Sequence, residues 1–95
     1  MRSATLHVTE VGISRASRRS RTLAAASIRR IYLYSDANGD ECVVARGPGL
    51  RLQFVSRQEL ADPSIRQGVM ALVEAVAGTA DVDPSVTTYL ASLAA

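Results

Sequence analysis

SIRRIYLYSDANGDECVVARGPGLRLQFV, residues 27–55, decides the fold. In it Ile31 and Leu33 alternate with Tyr32 and Tyr34, so an extended strand there has an aliphatic face and a tyrosine face. Asn38-Gly39 interrupts the run, and both residues tolerate the positive φ that a type I′ hairpin turn demands. ECVVAR (41–46) reads as the returning strand, and Gly47-Pro48-Gly49 as a second reversal. LRLQFV (50–55) then alternates again, with Leu50, Leu52 and Phe54 on one face and Arg51 and Gln53 on the other. The reading is a three-stranded antiparallel meander with one apolar face to cover.

Working toward the N-terminus, Leu6 and Val8 alternate with Thr5, His7 and Thr9, Gly12 breaks the run and Ile13 resumes it, which predicts a strand, a turn and a strand. Residues 22–26 stay open between a short strand or irregular approach and one helical turn, because Ala24–Ala26 favours helix while the following IYLY favours strand. Toward the C-terminus, Asp62 is an N-cap, Pro63 suits the first helical position, and Ile65, Val69, Leu72, Val73 and Val76 recur at helical spacing until Gly78. This stripe is expected to roof the meander, since three strands alone leave their apolar face in water. DPSV at Asp83 echoes DPSI at Asp62 as a second helix start, and Val86, Tyr89, Leu90 and Leu93 give that tail one apolar side. Alone so short a helix is marginal in water, so it must dock, either on its own sheet or on another chain. The expected fold is therefore α+β. Its core is a bent antiparallel sheet or partial barrel of five to six strands closed by the helix from about residue 62 to 77. Residues 1–79 form one domain, and 80–95 a linker and C-terminal helix.

With 95 residues the chain has room for a single modest core. An apolar fraction of 47% argues against global disorder, and with three Tyr, one Phe and no Trp the core must be aliphatic. All eleven cations are Arg, which together with fifteen Ala points to a GC-rich bacterial genome. The net charge of +2 hides an asymmetry: residues 1–35 carry seven Arg against Glu10 alone, and the remainder carries four Arg against eight acids. The absence of a leader pattern or a long apolar run predicts a cytoplasmic protein with no transmembrane segment.

The densest charge is SRASRRSR (14–21), where Arg15, Arg18, Arg19 and Arg21, with Arg29 and Arg30 nearby, form the candidate surface for an anionic partner. Three readings compete for it: a solvated hairpin answered by the acidic half of the chain, phosphates of a nucleic acid, and an anionic lipid or acidic protein. DANGDE fails as a calcium loop, because the sixth and twelfth positions from Asp36 are Glu41 and Gly47 where Gly and Glu are required. A lone Cys42 offers no disulfide and no zinc set, and nothing in its spacing from His7 supports a nucleophile and base. No nucleophile elbow or phosphate-cradling glycine loop occurs either. The expectation is a non-enzyme without metal or cofactor.

The segments LHVTEVGI, SIRRIYLY, GPGLRLQFV and DPSIRQGVMALVEAV follow one another in an order that resembles the bacterial pleckstrin-homology-like family over about residues 5–77. That resemblance implies two nearly orthogonal antiparallel sheets in an open barrel with a C-terminal helix plugging one end. Seven strands are usual there, against the five or six counted here. It further implies a scaffold that binds proteins, peptides or lipid headgroups and shares no catalytic residues, with basic residues near the first hairpin loop in lipid-binding members. The sequence-based expectation is thus an interaction module binding a protein partner or an anionic surface through its basic hairpin. The apolar side of the tail (Val86, Tyr89, Leu90, Leu93) is a candidate protein interface, and a homodimer is one form such a partnership takes. The second reading is a nucleic-acid-binding accessory protein using residues 14–21.

Overall fold

A computed structural model describes residues 5–16, 21–49 and 51–94. The described residues are α+β, with two separate sheets and three α-helices. Strands β1 (Thr5–Thr9), β2 (Gly12–Ala16) and β3 (Arg21–Ala24) form an antiparallel sheet in sequence order. Strands β4 (Arg30–Ser35), β5 (Glu41–Arg46) and β6 (Leu52–Val55) form the predicted meander. A two-residue strand, β7 (Asp81–Val82), adds to β4 in parallel, giving the order β6-β5-β4-β7. There are seven described strands where five or six were expected, and they lie in two sheets that are not closed into a barrel. Residues 21–27 settle the open choice by using both forms: β3 ends at Ala24 and a 3-10 turn occupies Ala25–Ser27.

The first meander turn is longer than a type I′ hairpin. The Asp36 N–H donates to the Asp40 carbonyl at 2.9 Å and the Gly39 N–H to the Asp36 carbonyl at 3.0 Å. Only Gly39 takes a positive φ, 82°, so Ala37, Asn38 and Gly39 form a three-residue loop in which glycine carries the left-handed step. Asp36 holds this loop from inside, its Oδ1 accepting from the Asn38 and Asp40 N–H groups at 2.9 and 3.0 Å.

Helix α1 (Arg57–Leu60) follows β6 at once, started by a capping box: the Glu59 N–H donates to Ser56 Oγ and the Ser56 N–H to Glu59 Oε1. Helices α2 (Pro63–Val76) and α3 (Pro84–Ala94) begin alike, as the DPSI and DPSV echo suggests. Asp62 and Asp83 each accept from the N–H two residues on, at 2.9 and 3.0 Å.

One core holds these parts together. It joins Val8, Ile13 and Leu23 of the first sheet, Ile31, Val43, Ala45 and Val55 of the second, Leu60, the Val69–Leu72–Val73–Val76 stripe, and Val86 and Leu90. The expected roof differs in detail. Helix α2 lies chiefly along β1, while α3 packs on β4. The approach of α2 to β1 depends on Gly68, where a Cβ would stand 2.0 Å from the Val8 carbonyl oxygen.

Candidate interaction surface

The inner face of the second sheet is built from the rows Ile31–Ala45–Gln53 and Leu33–Val43–Val55. Strand β6 is therefore inverted relative to the sequence expectation: Gln53 and Val55 are buried, whereas Leu52 and Phe54 are 44% and 51% exposed. Its partner explains the inversion. The core side of β5 is set by Val43 and Ala45, which pair with Val55 and Gln53, and a strand with apolar residues on both faces takes whichever face its neighbour dictates.

The outer face consequently gathers side chains that the helices never cover. Its central row is Tyr32–Val44–Phe54; on one side lies Tyr34–Cys42, on the other Arg30–Arg46–Leu52. Of these, Tyr32, Tyr34, Cys42, Val44, Leu52 and Phe54, with Asp36 and Ser56 at one end, line an open depression of about 410 Å³. Tyr34 is 58% exposed, and Val44, between Tyr32 and Phe54 in the central row, is buried.

Charge is graded along the strands. At one end the Arg30 guanidinium lies 4.9 Å from the Tyr32 ring centroid, within cation–π range, and Arg30 stands directly across from Arg46. Like charges opposed in this way repel. Among the described residues Arg46 has no carboxylate within 4.0 Å, while Asp81 of β7 is aligned with Arg30 on its other side. At the opposite end is Asp36. Between them Cys42 Sγ donates to the Tyr34 carbonyl at 3.4 Å, and burial together with the Asp36 charge pushes the thiol above its ordinary value, so it stays protonated at neutral pH. His7 lies in β1, in the other sheet, and is exposed.

The sequence candidates divide. Arg15 is anchored inside the molecule: Nη1 donates to Glu59 Oε2 at 2.7 Å, and Nη2 to Glu59 Oε1 at 3.1 Å and the Phe54 carbonyl at 3.0 Å. It also sits 5.9 Å from the Phe54 ring centroid, at the rim of the open face. Burial alone would raise the Glu59 carboxyl, but hydrogen bonds from Arg15 and Ser56, with the Arg15 charge, hold it below its ordinary value. Arg18 and Arg19 lie outside the described residues, as does the Arg21 side chain; the Arg21 backbone pairs with Arg15 in β2–β3. Arg29 and Arg30 are exposed, and Arg30 stands at the cationic end of the outer face, opposite Arg46.

The tail residues proposed as an interface turn toward the chain's own core. Val86 and Leu90 are fully buried in the core, Tyr89 and Leu93 pack against it, and the Tyr89 hydroxyl donates to the Glu41 carbonyl at 3.2 Å. Sequence reasoning missed Phe54, Leu52, Val44 and Arg46 as members of an open face. The signal available was the tyrosine face of β4, which any strand continuing the sheet must extend. Among the described residues no three His, Cys, Asp or Glu side chains come together as metal ligands, and no helix is long and apolar enough to cross a membrane. The chain matches no protein-family model, no curated protein and no solved structure.

Proposed function

We propose that this chain is a non-catalytic interaction module whose partner sits on the outer face of β4–β5–β6. One observation carries the reading: Tyr34, Leu52 and Phe54 are contiguous and 44–58% exposed around a single depression, although the chain has a complete core on the other side of the same sheet. Single exposed apolar residues are ordinary on any surface, whereas a contiguous aromatic patch rimmed by polar groups marks a contact site. The Arg30–Arg46 pair supports an acidic group on the partner, because a carboxylate or phosphate between two opposed guanidinium groups relieves their repulsion. A pleckstrin-homology-like scaffold working in the cytoplasm, with the basic hairpin as an auxiliary anionic contact, fits the same proposal and implies binding in place of catalysis.

The test is retention of partners by the full chain and by Phe54→Glu, a change at an exposed position. With the melting temperature unchanged, Phe54→Glu is expected to lose what the wild type co-purifies from its native cell. Equal retention by the two proteins would overturn the proposal. Labelled oligonucleotide titrated at two salt concentrations checks the polyanion reading, which requires binding that weakens steeply with salt and is lost in Arg46→Glu.

A further inference from the structure

We infer that the occupant of this face is a second copy of the chain, docked face to face about a two-fold axis that runs across the strands. The inference rests on the reading of the face as a contact surface and adds the identity of the partner.

The argument is a symmetry in the register. Leu33 and Val43 are paired across β4 and β5. Counting three residues either way from Leu33 gives Arg30 and Asp36; three either way from Val43 gives Arg46 and Asp40. One residue either way gives Tyr32 and Tyr34 on β4, and Val44 and Cys42 on β5. Along each strand and into the turn where the Asp36 N–H meets the Asp40 carbonyl, alternation carried past the strand ends reads cation, apolar, apolar, anion: Arg30, Tyr32, Tyr34, Asp36 and, running back, Arg46, Val44, Cys42, Asp40. A two-fold axis through the Leu33–Val43 rung, in the plane between two facing sheets, lays Arg30 over the partner's Asp36 and Arg46 over the partner's Asp40. The tyrosine pair meets the tyrosine pair, and both charged ends are answered twice, as an isologous contact requires. An axis along the strands would instead set arginine over arginine.

The same charges disfavour a polyanion. Asp36 lines one end of the face with Asp40 beside it in the turn, and Asp81 lies beside Arg30 on β7, so a run of phosphates would meet carboxylates on two borders. A copy of the chain meets neither conflict at the strand ends. Asp40 is free to turn to such a partner, since its contact to Arg57 Nη1 is 3.8 Å between side chains more than half exposed. Sheets packed in this way lie about 10 Å apart, a gap that an arginine reaching toward an aspartate spans. The patch is about 20 Å along the strands and about 15 Å across, less than half of a standard interface, which places the dimer among weak, concentration-dependent contacts.

Sedimentation equilibrium of the full chain from about 1 to 500 μM tests this without any variant. A monomer–dimer equilibrium is expected, and it should weaken several-fold between low and high salt. Arg46→Glu, which opposes the partner's Asp40, should weaken the dimer at least about tenfold, and Arg46→Glu combined with Asp40→Arg should restore it. A monomer at every concentration overturns the inference, as does a dimer indifferent to both Phe54→Glu and Arg46→Glu, or an oligonucleotide bound on the face. If the wild type stays monomeric while Phe54→Glu still releases a co-purified protein, the second copy is excluded and the contact-surface proposal stands.

Discussion

Gly68→Ala should destabilise this protein, although the same change inside an exposed helix stabilises by about 1 kcal/mol. Gly68 lies within α2, where a Cβ would stand 2.0 Å from the Val8 carbonyl oxygen, 2.8 Å from the carbonyl carbon and 3.2 Å from the Val8 Cβ. The obstruction is backbone, so no rotamer change relieves it. To open the contact even to 3.0 Å, β1 and α2 must separate by about 1 Å, which forfeits a quarter to a half of the dispersion attraction along the seam. Overpacking of this kind costs about 1–3 kcal/mol and more where backbone must move. Taking about 3 kcal/mol against the propensity gain of about 1 leaves a net loss of about 2 kcal/mol, or about 8–16 °C in Tm for a domain of this size. Thermal unfolding followed by circular dichroism, with urea unfolding as a second measure, reads the effect. A Gly68→Ala protein as stable as the wild type would refute the seating of α2 on β1, and with it the route by which the first sheet joins the core.

Three further outcomes follow from single contacts. Arg15→Met and Glu59→Gln, run as a double-mutant cycle, should show a coupling of about 1–2 kcal/mol for this quarter-exposed bidentate pair. Because the Glu59 carboxyl is held below its ordinary value, that contribution is present above about pH 4.5 and is lost as pH falls through the lowered folded value, so urea midpoints of wild type and Arg15→Met should converge in acid. Cys42, held protonated by burial and by Asp36, should react with iodoacetamide at pH 8 several-fold more slowly than a free thiol and accelerate in Asp36→Asn, which keeps the turn's acceptor while removing the charge. Tyr89→Phe should cost about 0.5–1.5 kcal/mol, measured by urea unfolding, by leaving the Glu41 carbonyl without its donor.

What could be read from the chain was local, and what could not was settled by partners distant in sequence. The meander was legible because each reversal carries its own chemistry at Asn38-Gly39 and Gly47-Pro48-Gly49, and α2 because cap, proline and stripe agree over one continuous stretch. Helix α1 was equally legible in the Ser56-x-x-Glu59 box but is only four residues long, too short to show a periodic stripe. Strand β7 could not be read: two residues, paired in parallel with a strand some fifty positions earlier, leave no pattern. The outward tyrosines were half of the candidate surface. The other half depends on the facing of β6, which alternation leaves open until Val43 and Ala45 choose it. Arg15 shows the same limit from the other side. Within an arginine cluster it reads as a surface charge, but its partner Glu59 is 44 residues away.

That Arg15 contact also bears on how a partner can be held. A sheet recognises other chains either by its backbone edge or by its face. On one side of the second sheet β7 is already seated, with the Asp81 and Asp83 N–H groups donating to the Arg29 and Ile31 carbonyls, each at 2.9 Å. On the other side the Phe54 carbonyl of β6 accepts from Arg15, and the capping box turns the chain away at Ser56. An incoming strand would have to displace a charged, bidentately held side chain to reach that carbonyl. The Arg29–Ile31 stretch of one edge and the Phe54 carbonyl of the other are thus occupied from within, and helices α1, α2 and α3 lie on the inner side with the core. Recognition is left to side chains on the outer face, where shape and charge decide the partner. Arg15→Met should then do more than loosen the fold: it bares the β6 edge, and slow association by strand addition, insensitive to Phe54→Glu, would distinguish that exposed ladder from the face-to-face contact of the native protein.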